Sequence, residues 1–124
     1  MTLGKILIID DDAPTCDLLK TIFDMQDYET EAESDVENDD IIQLLNNKEP
    51  DLLILDCHLR DEETLHYVKT IRRDQAWQDL AVLMMSAIDR ESECLKVGAD
   101  SFVLKPFDWK DISAAVETLK SKTA

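Results

Sequence analysis

The chain has 124 residues, enough for one ordinary domain, and its 44% apolar content is sufficient to build a real core. With 13 basic against 28 acidic residues the formal charge is −15, which opposes direct binding to a nucleic-acid backbone or an anionic membrane and favours basic partners. Cys16, Cys57 and Cys94 form no CxxC or other metal-ligand spacing and no run approaches a membrane span, so reduced thiols and a cytoplasmic location are expected.

Ile6-Leu7-Ile8-Ile9 predicts a buried strand near 5–10 that stops on Asp10-Asp11-Asp12. A helix follows near 13–26, with Leu18, Leu19, Ile22 and Phe23 on one face. The next strand, near 28–33, reads Tyr28-Glu29-Thr30-Glu31-Ala32 and is polar, as expected of a sheet edge. After a helix near 36–47, Leu52-Leu53-Ile54-Leu55 predicts a third strand near 51–56 that stops on Asp56. A helix near 63–74 leads to a fourth strand near 80–85, Leu80 to Met85, which stops on Ser86. A helix near 90–97 precedes Phe102-Val103-Leu104, a fifth strand near 101–105 that stops on Lys105. The last helix, near 108–121, places Ile112, Ala115, Val116 and Leu119 on one face.

Five strand–helix repeats predict a single α/β domain over residues 1–124, doubly wound and flavodoxin-like, with a five-stranded parallel sheet ordered 2-1-3-4-5. In that order ligands bind outside the carboxyl ends of the strands, at the switch point between the first and third, where Asp10, Asp11 and Asp56 converge. Two like charges about 4 Å apart repel by roughly 4 kcal/mol at an effective dielectric near 20. A bound divalent cation offsets such repulsion, and an all-oxygen site with few protein ligands suits Mg²⁺; an upward pKa shift is the alternative. The only glycines, Gly4 and Gly98, leave no glycine-rich loop to cradle phosphates, so a phosphoryl group would be met by the metal and Lys105.

Asp10-Asp11, Asp56, Ser86 and Lys105-Pro106, in this order and each at a strand end, closely resemble the receiver domain of bacterial two-component response regulators. The resemblance covers nearly the whole chain. It implies that Asp56 is a phosphoacceptor nucleophile taking a phosphoryl group from a sensor histidine kinase, a phosphotransfer protein or acetyl phosphate. It implies further that Asp11, Asp56 and the backbone carbonyl of His58 hold Mg²⁺, with Asp10 acting through metal-bound water. Lys105 would pair with Asp56 and then with the phosphoryl group, while Ser86 and Phe102 form the switch to an output domain or partner protein. The expected role is signalling and not that of a turnover enzyme.

The chain departs from the receiver pattern in the third loop and the fourth helix. Arg60 and Thr64 stand where most receivers have proline and glycine, so the loop after the third strand is expected to be built differently. Ser86 to Gly98 is about three residues shorter than usual, close to one helical turn, which predicts a short fourth helix. The last helix lacks the arginine of the symmetric transcription-factor dimers, so a monomer is expected, with a phosphorylation-dependent dimer as the alternative. His66 reads as a helix-surface residue, Cys57 as a small buried hydrophobe, and Trp109 as packing or partner surface. Two other functions compete. One is a receiver that binds partners without phosphorylation; the other is a haloacid-dehalogenase-type phosphatase, suggested by Asp10-Asp11-Asp12 but opposed by Pro14 and by the absence of an acidic pair after the fourth strand.

Overall fold

The computed structural model describes residues 4–123. In chain order the elements are β1 (Lys5–Ile9), α1 (Ala13–Asp24), β2 (Glu29–Glu33), α2 (Ile41–Lys48), β3 (Leu52–Asp56), β4 (His58–Leu59), β5 (Glu62–Glu63), α3 (Leu65–Arg73), β6 (Ala81–Ser86), α4 (Glu91–Val97), β7 (Ser101–Leu104) and α5 (Trp109–Thr123). Strands β2-β1-β3-β6-β7 form one parallel sheet in that order, which is the expected 2-1-3-4-5 arrangement once the small β4–β5 hairpin is set aside.

Successive strand side chains point to opposite faces, and both faces are covered. Leu7, Ile9, Leu53, Leu55, Val82 and Met84 face α2, α3 and α4, meeting Ile41, Leu45, Val68, Ile71 and Cys94. Ile6, Ile8, Ile54, Leu83 and Met85 face α1 and α5, meeting Leu19, Phe23, Ile112 and Val116. Double coverage explains why β3 and β6 are apolar nearly throughout and buried at every residue. The polar β2 lies at the edge, where Lys5 and Lys48 each approach Glu31 to 2.8 Å. Hydrogen bonds from Lys48 and Lys5 hold the Glu31 carboxyl down at about 2.

Helix termini follow local chemistry. Asp12 caps α1 by accepting from the Thr15 N–H at 3.2 Å, with Pro14 in the first turn where its missing N–H costs nothing. Asp40 caps α2 by accepting from the Gln43 N–H at 3.0 Å. Gly98 ends α4 in the left-handed region, φ +118°, where a side chain would also collide with Arg72.

Three expectations are corrected. Leu18 does not join the core face of α1 but is 48% exposed, and Cys16 takes the buried place. The second helical segment opens with a 3₁₀ turn, Glu37–Asp39, because Asn38 and Asp39 adopt positive φ, and the α-helix begins only at Ile41. The region near 63, expected to begin the third helix, instead ends a hairpin in which His58 opposes Glu63 and Leu59 opposes Glu62. Arg60 turns that hairpin with φ +60°, a conformation usually left to glycine. The fourth helix is short, seven residues, as expected.

Candidate functional site

The carboxyl ends of β1, β3, β6 and β7 share one rim, and most of the singled-out residues stand on it. Asp10 follows β1 and is 1% exposed. Its Oδ1 accepts from the Asp12 N–H at 2.9 Å and its Oδ2 from the Lys105 ammonium at 2.7 Å. Asp56 closes β3, and its Oδ2 takes the same ammonium at 2.5 Å. The Asp56 Oδ1 accepts from the His58 N–H at 2.8 Å. Lys105 leaves β7 with its own N–H on the Ser86 carbonyl at 2.8 Å, which fixes where its side chain starts. One cation thus bridges two carboxylates carried on neighbouring central strands.

The electrostatics are unbalanced. Burial pushes the Asp10 carboxyl above its ordinary value, and the charge of Asp56 pushes the same way. The ammonium of Lys105 and the Asp12 N–H oppose that rise without cancelling it. Burial alone would lower the Lys105 ammonium, but hydrogen bonds to Asp10 and Asp56 outweigh it and the net shift is upward. Lys105 therefore stays charged through neutral pH while facing two carboxylates, with Asp11 exposed beside them.

Asp11 reaches the rim from the α1 side. Its Oδ2 accepts from the Arg60 N–H at 2.6 Å, tying the hairpin turn to the acidic cluster. Ser86 ends β6 almost fully buried, its Oγ accepting from the Ile88 N–H at 3.1 Å. His58 contributes its N–H to Asp56, and its ring lies 3.4 Å from Arg90. Phe102, on β7, is partly buried and packs against the core cluster shared with α2, α3 and α4. Cys57 is fully buried with its Sγ 3.3 Å from that of Cys94, and burial pushes both thiols up, as befits small packed side chains.

Two residues with no motif to announce them also hold the site. Thr64 is 1% exposed and donates its hydroxyl to the Asp56 carbonyl at 2.6 Å, while its N–H meets the Cys57 carbonyl at 2.9 Å. It ties the end of β3 to the start of α3. Arg90 pairs with Glu63 at 2.5 Å and Glu93 at 2.6 Å, and nothing in its sequence context separates it from a solvated arginine. For Thr64 the departure from the expected glycine was itself a signal.

Among the described residues no three His, Cys, Asp or Glu side chains form a metal cage. The donor set still fits a hard cation that keeps most of its coordination as water. Asp10, Asp11 and Asp56 offer hard carboxylate oxygens, Asp10 and Asp56 share one ammonium, and Asp11 adds negative charge that accepts from the Arg60 N–H.

The model of the family described as response regulator receiver domain matches residues 6–117. The phosphate regulon transcriptional regulatory protein PhoB of Pseudomonas aeruginosa is 30% identical, the alignment covering 97% of this chain and 53% of that protein. The chain therefore spans about half the length of the curated relatives it matches. Among solved structures, the Francisella response regulator 1452 receiver domain is 26% identical, with 98% of this chain and 99% of that one covered at a TM-score of 0.84. A putative response regulator from Chloroflexus aurantiacus has a TM-score of 0.85 at 23% identity, covering 95% of this chain and 98% of that one, and speaks to the fold alone. With a match that reaches from β1 into α5, the chain belongs to the response regulator receiver domain family of two-component signalling.

Proposed function

We propose that this chain accepts a phosphoryl group on Asp56 and thereby switches a partner-binding surface. The observation that carries the reading is Lys105, whose ammonium lies 2.5 Å from the Asp56 Oδ2 and 2.7 Å from the Asp10 Oδ2 at the switch point of the sheet. An Asp56 carboxylate oxygen attacks phosphorus, the bond from phosphorus to the donor's imidazole nitrogen or acetate oxygen breaks, and an acyl phosphate remains. Lys105 then moves its charge from the carboxylate to a phosphoryl oxygen. The hydroxyl of Ser86 turns from the Ile88 N–H to the new group, and the segment after β6 follows it. Phe102, packed on the adjacent strand, adjusts to that movement.

Asp11, Asp56 and the carbonyl of His58 are the groups that would hold Mg²⁺, with Asp10 contributing through water. Bound there, the ion supplies positive charge against the phosphoryl oxygens. The Leu18, Ala87 and Phe107 side chains line a shallow apolar hollow beside Lys105, which gives a donor protein a surface next to the acceptor. Family membership implies a histidine kinase or phosphotransfer protein as donor and an output domain or protein as recipient. No helix among the described residues is long and apolar enough to cross a membrane, in keeping with a cytoplasmic signalling role.

The test is intact mass after incubation with acetyl phosphate and Mg²⁺. A single phosphoryl gain in the wild type, lost in Asp56→Asn and with a chelator, is the expected result. No gain in a folded wild type would leave the phosphorylation-independent interaction module, and turnover of a phosphate monoester would point to a phosphatase.

A further inference from the structure

Two departures of this chain from the receiver pattern, the hairpin after Asp56 and the short α4, meet at a single side chain. Arg90 occupies the N-cap position of α4, and its guanidinium reaches out of the helix to the hairpin. There it pairs with Glu63 of β5 at 2.5 Å and lies 3.4 Å from the His58 Nε2 of β4. His58 and Glu63 are directly opposed across the hairpin, so one cation grips one side chain from each strand. Glu93, three residues further along, fixes the same guanidinium at 2.6 Å from its own helix. The Arg90 side chain is only 13% exposed, against 71% for Arg60 at the hairpin's tip, so the grip lies under cover and the tip in solvent.

The gripped pair leads straight to the acceptor. His58 donates its N–H to the Asp56 Oδ1 at 2.8 Å, which turns the Oδ2 toward Lys105. Resting on the reading of Asp56 as phosphoacceptor, we propose that Arg90 is a positioning residue that acts through the His58–Glu63 pair to hold the acceptor carboxylate in one orientation. A planar guanidinium can meet two acceptors at once in fixed geometry, whereas an ammonium offers a single point of charge. The short segment between Ser86 and α4 makes this reach available, since it starts the helix beside the hairpin.

The experiment compares wild type, Arg90→Ala, Arg90→Lys and Glu63→Gln by rate of phosphoryl gain at saturating and limiting acetyl phosphate. The His58 amide resonance is recorded in parallel in ¹H–¹⁵N spectra without donor. Arg90→Ala is expected to keep its helical circular dichroism and final mass gain but to react about tenfold more slowly at saturating donor, the low end for loss of an outer-shell partner. Its His58 amide resonance should move, Glu63→Gln should change rate and resonance in the same direction, and Arg90→Lys should fail to restore the rate. A wild-type rate in Arg90→Ala, a slow rate with an unmoved His58 amide, or full rescue by lysine would each overturn the proposal. If the wild type gains no phosphoryl mass, the phosphoacceptor reading fails separately; a displaced His58 amide then supports the positioning contact and an unmoved one overturns it. Should Arg90→Ala not fold, Glu63→Gln, which retains the Arg90–Glu93 pair within α4, decides in its place.

Discussion

The two ends of the sheet handle charge in opposite ways. At the amino end, Arg72 lies 2.9 Å from Asp100, and its remaining donors reach the carbonyls of Gly98, Gln78 and Leu80 at 2.9, 2.9 and 2.7 Å. The Asp100 Oδ2 also accepts from the Val82 N–H at 2.9 Å, so cation, anion and backbone are all satisfied. At the carboxyl end, Asp10 and Asp56 share Lys105, and Asp11 stands beside them with an N–H as its partner. Balanced charge fastens a loop, whereas the surplus of one sign at the switch point is where we propose that a cation and a phosphoryl group bind.

Removing the cation at each end breaks the comparison most sharply. Lys105→Ala leaves two carboxylates facing each other and should cost about 3–5 kcal/mol at pH 8 and less at pH 5, because acidification moves toward protonating Asp10, whose carboxyl burial already raises. It should also suppress phosphoryl gain about a hundredfold. Arg72→Ala, by contrast, should cost about 2–4 kcal/mol, since it strands three carbonyls and Asp100, and should leave phosphoryl uptake intact. Chemical denaturation at the two pH values, with intact mass alongside, separates them.

Asp10→Asn sharpens the contrast by having the opposite sign. The Asp10 carboxyl sits above its ordinary 3.8 in the folded state, so the folded protein binds its proton to higher pH than the unfolded chain does. Stability therefore falls as pH rises through that window, and removing the charge should raise the thermal midpoint at pH 7 while weakening Mg²⁺ binding. The smallest effect belongs to the sheet edge. Glu31, held down at about 2 by Lys48 and Lys5, contributes above the ordinary 4.5 and loses that contribution as pH falls toward 2. Glu31→Gln should cost about 1 kcal/mol or less at pH 7, with most of that cost gone by pH 2, after allowance for solvent screening.

What the sequence disclosed follows the same division. Asp10, Asp56, Ser86 and Lys105 were legible because each ends an apolar run, and a charge closing a buried strand needs a reason. The strand order followed from one polar strand and two apolar ones. The hairpin was hidden, because Leu59-Arg60-Asp61-Glu62 has no Asn-Gly or Asp-Gly turn and Arg60 takes a left-handed conformation that tertiary contact with Asp11 supports. Leu18 misled because helical periodicity treats neighbouring positions alike, and only the packed sheet decided that Cys16 goes in and Leu18 stays out. Thr64 showed only as a departure from the expected glycine, with nothing to say that it would hold the Asp56 carbonyl, and Arg90 acts through a cross-strand pair, which leaves no spacing to read.

The most direct test of the charge-surplus account is a calorimetric Mg²⁺ titration of wild type beside Asp56→Asn, at the carboxyl end, and Asp100→Asn, at the amino end. A single site in the wild type that survives Asp100→Asn and disappears in Asp56→Asn is the predicted result. Absence of binding in the folded wild type, or binding that persists in Asp56→Asn, would contradict it.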